Sequence, residues 1–119
     1  MGLDMNLYNK DHEEVMYWRK ANQIRGWLVE HKIIEDDDNC TDRIVTVEDL
    51  QNLLDDCKKV LDNHSLAKSL MPCTSGFFFG SGLYDDWYFE QLQETIDNLQ
   101  PIVDKADKEH DHFIYSDWW

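Results

Sequence analysis

Three consecutive phenylalanines, Phe77, Phe78 and Phe79, stand between Gly76 and Gly80 and lead within a few residues into a long helical pattern. A short aromatic run bounded by breakers reads as a buried strand, here over residues 76 to 80. From about Asp85 onward, Phe89, Leu92, Ile96, Leu99 and Val103 recur at intervals of three and four residues, one stripe of an amphipathic helix turned toward a core. Pro101 interrupts that stripe. It has no N–H and crowds the carbonyl four residues back, so the helix ends near Gln100, kinks there, or restarts with the proline in a first-turn position.

The flanking sequence supplies the other layers. Leu3, Met5 and Leu7 alternate with polar neighbours, the period of a half-buried strand over residues 3 to 7. From about Glu13 to His31 a helical reading places Tyr17, Ala21, Ile24 and Leu28 on one stripe and Val15, Trp18, Asn22, Arg25 and Val29 on the next. Gly26 costs that helix about 1 kcal/mol relative to alanine and leaves room for a close neighbour. The run Glu35 to Asn39 is a loop by composition, its carboxylates repelling one another into solvent. Arg43 to Thr46 forms a short strand, after which Thr46 and Asp49 are spaced as a capping box with Val45 and Leu50 as a hydrophobic staple. Leu50, Leu53, Leu54, Cys57, Val60 and Leu61 make the clearest helical stripe, ended by Asp62 to Ser65. A short helical turn is expected at 66 to 70, and a last strand at 112 to 116 around Phe113, Ile114 and Tyr115. The fold class expected is α+β, three main helices packed on a small, mostly antiparallel sheet, in one acidic globular domain spanning residues 1 to 119.

With 42% hydrophobic and 13% aromatic residues the chain can bury a core. Cys40, Cys57 and Cys73 are odd in number and lack C-x-x-C spacing, which fits buried thiols in a reducing compartment better than a disulfide frame or a zinc site. No apolar run approaches the roughly 20 residues that cross a bilayer, and the N-terminus lacks the pattern of a signal peptide, so a cytoplasmic setting is expected. The net charge of −14 opposes direct binding to nucleic acid or an anionic membrane. Residues 1 to 34 hold five acids and five bases, so all of that charge lies in residues 35 to 119, as 20 acids against six bases.

Catalytic and metal patterns are weak. The G-F-F-F-G-S-G run matches neither dinucleotide-binding nor Walker spacing, no lysine follows, and Asp85 and Asp86 occupy the helix end that would receive a phosphate. His110, Asp111 and His112 could approach a divalent ion, but no third ligand is indicated beyond the neighbours, and no metal or cofactor is expected. Ser75 and Ser81 have no base partner by spacing. The reading is of a binding protein, not an enzyme.

Two surfaces could bind. On the helix after Asp85, Asp86, Glu90, Glu94 and Asp97 form a line at i, i+4, i+8 and i+11, opposite the apolar stripe, and no base occurs between Lys68 and Lys105. Like charges one turn apart destabilise a helix by about 0.2 to 0.5 kcal/mol per pair. Four residues of helix rise about 6 Å, near the spacing of successive phosphates, so the line can occupy a cationic groove built for nucleic acid. Glu35, Asp36, Asp37 and Asp38 add to this acidic face. The alternative is a pocket for a nucleotide-like ligand lined by Trp18, Arg19, Asn22, Arg25, Tyr84 and Trp87, which can stack on a ring, bond an amide and hold an anion. The competing structural reading makes Trp18 core and pairs Arg25 with a carboxylate from the acidic remainder.

M-G-L-D-M at 1 to 5, Y-W-R-K-A-N-x-I at 17 to 24, S-G-F-F-F-G-S at 75 to 81 and Y-D-x-W-Y at 84 to 88 resemble a family of small uncharacterised proteins of bacteriophages and prophages. The matching positions are Trp18, Arg19, Asn22, Gly76, Phe77, Phe78, Gly80, Tyr84, Asp85 and Trp87. The resemblance implies a phage-encoded accessory protein acting on the host, in the host cytoplasm. With the acidic face it gives the leading expectation: an anti-defence inhibitor, for instance an anti-CRISPR protein or a restriction inhibitor, whose partner is a host protein with a cationic nucleic-acid groove. Neither nucleic acid nor membrane is expected as a direct partner, and a homodimer is compatible with the sequence.

Overall fold

The computed structural model describes residues 2–74 and 82–119. Among them, four strands form one antiparallel sheet in the order β2-β1-β4-β3: β1 Asp4–Asn9, β2 Glu14–Arg19, β3 Arg43–Thr46 and β4 His112–Trp118. The helices are α1 Asn22–Glu30, α2 Val47–Asp62, α3 Ala67–Leu70 and α4 Asp86–Lys105, with a 3-10 turn at His64–Leu66. This is an α+β fold. The expected strand at 76 to 80 falls outside the described residues.

Alternation along the strands sends Met5, Leu7, Met16, Trp18, Val45, Phe113 and Tyr115 to one buried face, where the helices pack. Their neighbours Tyr17, Ile44 and Trp118 stand exposed on the other. α2 begins as its sequence requires, with the Thr46 hydroxyl accepting from the Asp49 N–H (3.0 Å) and the Asp49 carboxylate accepting from the Thr46 N–H (3.1 Å).

The continuous helix expected over Glu13 to His31 does not form. Residues 14–19 are strand β2, paired with β1 from Asp4↔Arg19 to Leu7↔Met16, and only from Asn22 does the chain turn helical. Pairing with β1 makes the difference, and two local features set the ends of the strand. Asn9 closes a hairpin, its Oδ1 accepting from the N–H groups of Asp11 and Glu13 (both 2.9 Å), with His12 at φ 65°. Lys20, at φ 55°, then breaks the chain between strand and helix. Trp18, Asn22 and Arg25 therefore do not share a helix face.

α4 neither ends near Gln100 nor restarts at Pro101, but continues through it as one helix. An interior proline costs a helix about 3 kcal/mol, and here tertiary packing offsets it. Leu99 and Val103 are buried on either side, while Gln100 donates to Gln51 Oε1 of α2 (3.2 Å) and accepts from Lys58 Nζ of the same helix (2.5 Å). Gly26 has the close neighbour its position anticipated: a Cβ there would lie 2.5 Å from the Thr74 Cγ2 methyl. Gly26→Ala should thus lower stability by about 1 to 3 kcal/mol in a denaturant titration despite its gain in helix propensity. Adding Thr74→Ser removes the offending methyl, keeps the hydroxyl that donates to the Asn22 carbonyl (3.1 Å), and should recover the loss.

Candidate functional site

α4 is held against β2 and α1 by a chain of buried polar contacts. Trp18 Nε1 donates to Thr95 Oγ1 (2.8 Å), whose own hydroxyl donates to the Gln91 carbonyl (2.7 Å). Gln91 accepts from Gln23 Nε2 (2.9 Å) and donates to the Arg19 carbonyl (3.0 Å). At the start of the helix Asp85 caps the Tyr88 N–H (3.1 Å), and the Tyr88 hydroxyl donates to the Met71 carbonyl (2.6 Å). With Gln91, Leu92, Thr95 and Leu99 turned inward, helical periodicity turns Asp86, Glu90, Glu94 and Asp97 outward, and all four are exposed. None of the four forms an ion pair among the described residues. Among the described residues Asp97 accepts from Gln93 of its own helix (2.9 Å).

The loop at 35 to 38 is a different object from the solvated run the sequence led us to expect. Glu35, Asp36 and Asp37 are exposed, but Asp38 is buried and accepts two hydrogen bonds from Arg43, from Nε at 2.7 Å and Nη2 at 2.8 Å. Bonding to a positive guanidinium offsets the cost of burial. The carbonyls of Asp36 and Asp38 accept from Arg25 Nη2 (2.9 and 3.0 Å), so the loop wraps a buried cation. Arg25 Nε in turn donates to Asp117 Oδ2 (2.8 Å), with both side chains at least 98% buried. The loop is pinned to β3 and β4, whereas α4 lies along β2, two strands across the sheet.

The six residues of the expected pocket separate. Arg25 belongs to the buried ion cluster. Asn22 is buried, its Oδ1 accepting from the Thr74 N–H (2.9 Å). Tyr84 uses its hydroxyl to accept from the Cys73 N–H (3.1 Å). Trp18 is core, as the structural reading had it, and only its rim reaches a surface groove. Arg19 and Trp87 do line that groove, which has a volume of about 330 Å³. Its first wall is the end of β2, Tyr17 to Lys20; its second is α4, where Trp87 and Gln91 are joined by Glu90 and Glu94 of the acidic line. The groove thus brings together parts of both expected sites and adds Tyr17, Lys20 and Gln91, which the sequence reading had not assigned to it. Strand alternation over 14–19, with Tyr17 and Arg19 on the face opposite Met16 and Trp18, is the signal that would have found Tyr17.

Among the described residues no group of three or more histidine, cysteine, aspartate or glutamate side chains is arranged to hold a metal. His110 Nδ1 lies 2.6 Å from Asp107 Oδ2. Cys57 is buried, and burial pushes its thiol far above the ordinary range, away from thiolate chemistry. No described helix is long and apolar enough to cross a membrane. Comparison of the chain with protein-family models, curated proteins and solved structures finds no match.

Hydrogen bonds from Arg43 hold the Asp38 carboxyl below its usual value of 3.8. A carboxyl whose pKa is lower folded than unfolded stabilises the fold above the unfolded pKa, and that contribution is lost as pH falls through the lowered folded value. The stability difference between the native chain and Arg43→Met should therefore stay constant from about pH 7 to pH 5 and shrink below about pH 4, as read from urea titrations across that range.

Proposed function

We propose that this protein is a phage-encoded inhibitor that engages a cationic, nucleic-acid-handling host protein of a defence system through the acidic face of α4. It acts by binding in the host cytoplasm, not by catalysis. The observation that carries the reading is the exposure of Asp86, Glu90, Glu94 and Asp97 along one helix with no ion pair among the described residues. Their mutual repulsion works against the helix, and among the described residues no ion pair offsets it. Over 11 residues the row extends about 16 Å, the span of several phosphates on a nucleic-acid strand. The resemblance to phage and prophage proteins supplies the setting.

The exposed part of the 35 to 38 loop, Glu35, Asp36 and Asp37, adds to the overall negative field that steers a cationic partner. Asp38 is excluded from this role by its bonds to Arg43. Neutralising the helix tests the reading. Replacement of Asp86 and Asp97 by asparagine and of Glu90 and Glu94 by glutamine should leave stability unchanged or slightly higher. Capture of the host partner should fall steeply, with a slower on-rate and a flatter salt dependence. A folded variant that retains its partner with the same salt dependence would sink the proposal.

A further inference from the structure

The groove beside β2 is one end of a longer trough. A second hollow of about 210 Å³, lined by Glu14 to Tyr17 and by Asn98, adjoins it and shares Tyr17. Together they follow β2 from Glu14 to Lys20, about 20 Å of extended chain, with α4 as the opposite wall. Tyr17 lines both hollows, and its hydroxyl donates to Asp4 on β1.

β2 is an edge strand of the described sheet, and its main chain faces this trough. The Lys20 N–H donates to the Leu3 carbonyl (2.6 Å), so by antiparallel alternation Trp18 and Met16 bond to β1, whereas Tyr17 and Arg19 direct their N–H and C=O groups outward. The Arg19 carbonyl is indeed taken from outside the sheet, by Gln91 of α4. The Tyr17 N–H and C=O have no partner among the described residues. Unpaired main-chain groups on an edge are a template for an incoming strand.

The charges in the trough specify which strand. Glu90 and Glu94 stand about 6 Å apart along α4, and alternate side chains of an extended peptide repeat at about 6.6 Å, so two cations at positions i and i+2 meet the two carboxylates together. Trp87, 40% exposed, offers a ring face beside them on which a guanidinium can stack. Across the groove from Glu90 and Glu94, Arg19 and Lys20 form no ion pair among the described residues, although the chain carries 25 acids. They suit a carboxylate following the cations.

We propose that the trough between β2 and α4 receives an extended basic segment of a partner protein by strand addition at Tyr17, with alternate arginine or lysine side chains set against Glu90 and Glu94. This rests on the acidic-face reading and narrows it. Asp86 and Asp97 lie beyond the contact and act only by steering.

The test uses the full chain and a dye-labelled six-residue peptide alternating threonine and arginine and ending in aspartate, followed by fluorescence anisotropy. The peptide should bind, and N-methylation of the amides that face Tyr17 should weaken it about tenfold through lost hydrogen bonds. Glu90→Gln with Glu94→Gln should weaken it about fivefold, two exposed ion pairs' worth, and more than Asp86→Asn with Asp97→Asn does. Absence of binding, equal binding of the N-methylated peptide, or equal binding of a peptide with the same residues but its arginines in one block would overturn strand addition. Those outcomes leave the acidic-face reading standing if the fourfold neutral variant still loses the host partner. Retention of the partner by that variant would remove the broader reading itself.

Discussion

The indole N–H of Trp18, donated to Thr95, ties the edge of the sheet to the middle of the longest described helix. Around it Gln91 bridges Gln23 and the Arg19 carbonyl, so one cluster of side-chain hydrogen bonds sets both the rotation and the lateral position of α4. Buried amides and hydroxyls tolerate little displacement, because each broken bond leaves a desolvated polar group behind. The outward direction of the acidic row, the width of the groove and the place of Trp87 all follow from that constraint.

A second buried polar cluster holds the β4 and β3 half of the same sheet face. Arg25 reaches from α1 to Asp117 on β4 and to the carbonyls of the 36 to 38 loop, while Tyr115 donates to the same Asp117 oxygen that accepts from Arg25 (2.7 Å). Trp119 adds its indole N–H to the Asp38 carbonyl (2.7 Å), and Asn39 joins the main chain of Trp119 in both directions (3.0 and 3.1 Å). The loop and the end of the chain are thereby organised around one guanidinium. The acidity of residues 35 to 119 is divided by this arrangement: Asp117 neutralises the buried Arg25, Asp38 pairs with the partly exposed Arg43, and the carboxylates of α4 remain for solvent or a partner.

Much of the fold was legible because it is encoded over short distances. The α2 cap at Thr46, the apolar stripes of α2 and α4, and the strands around Met5, Val45 and Phe113 each follow from a local period or a local hydrogen bond. Residues 14–19 were misread since Val15, Trp18 and Asn22 satisfy a helical period as well as Met16 and Trp18 satisfy a strand. Pairing with β1 settled the matter, and that pairing is a contact between segments. Pro101 illustrates the converse, a strong local signal overridden by the packing of Leu99, Gln100 and Val103 against α2.

For the candidate site the division is similar. Sequence alone determined that the negative charge lies beyond residue 34 and that Asp86, Glu90, Glu94 and Asp97 share one helix face, because composition and the 3.6-residue turn need no knowledge of the rest of the chain. Only the tertiary structure decided that Arg25 and Asn22 are internal braces, that Asp38 is withdrawn from the surface, and that Arg19 and Lys20 face Trp87, Glu90 and Glu94 across one groove. Those outcomes depend on which elements become neighbours, and neighbours far apart in sequence are chosen by the joint burial of apolar faces and the pairing of buried polar groups, which no single stretch of residues contains.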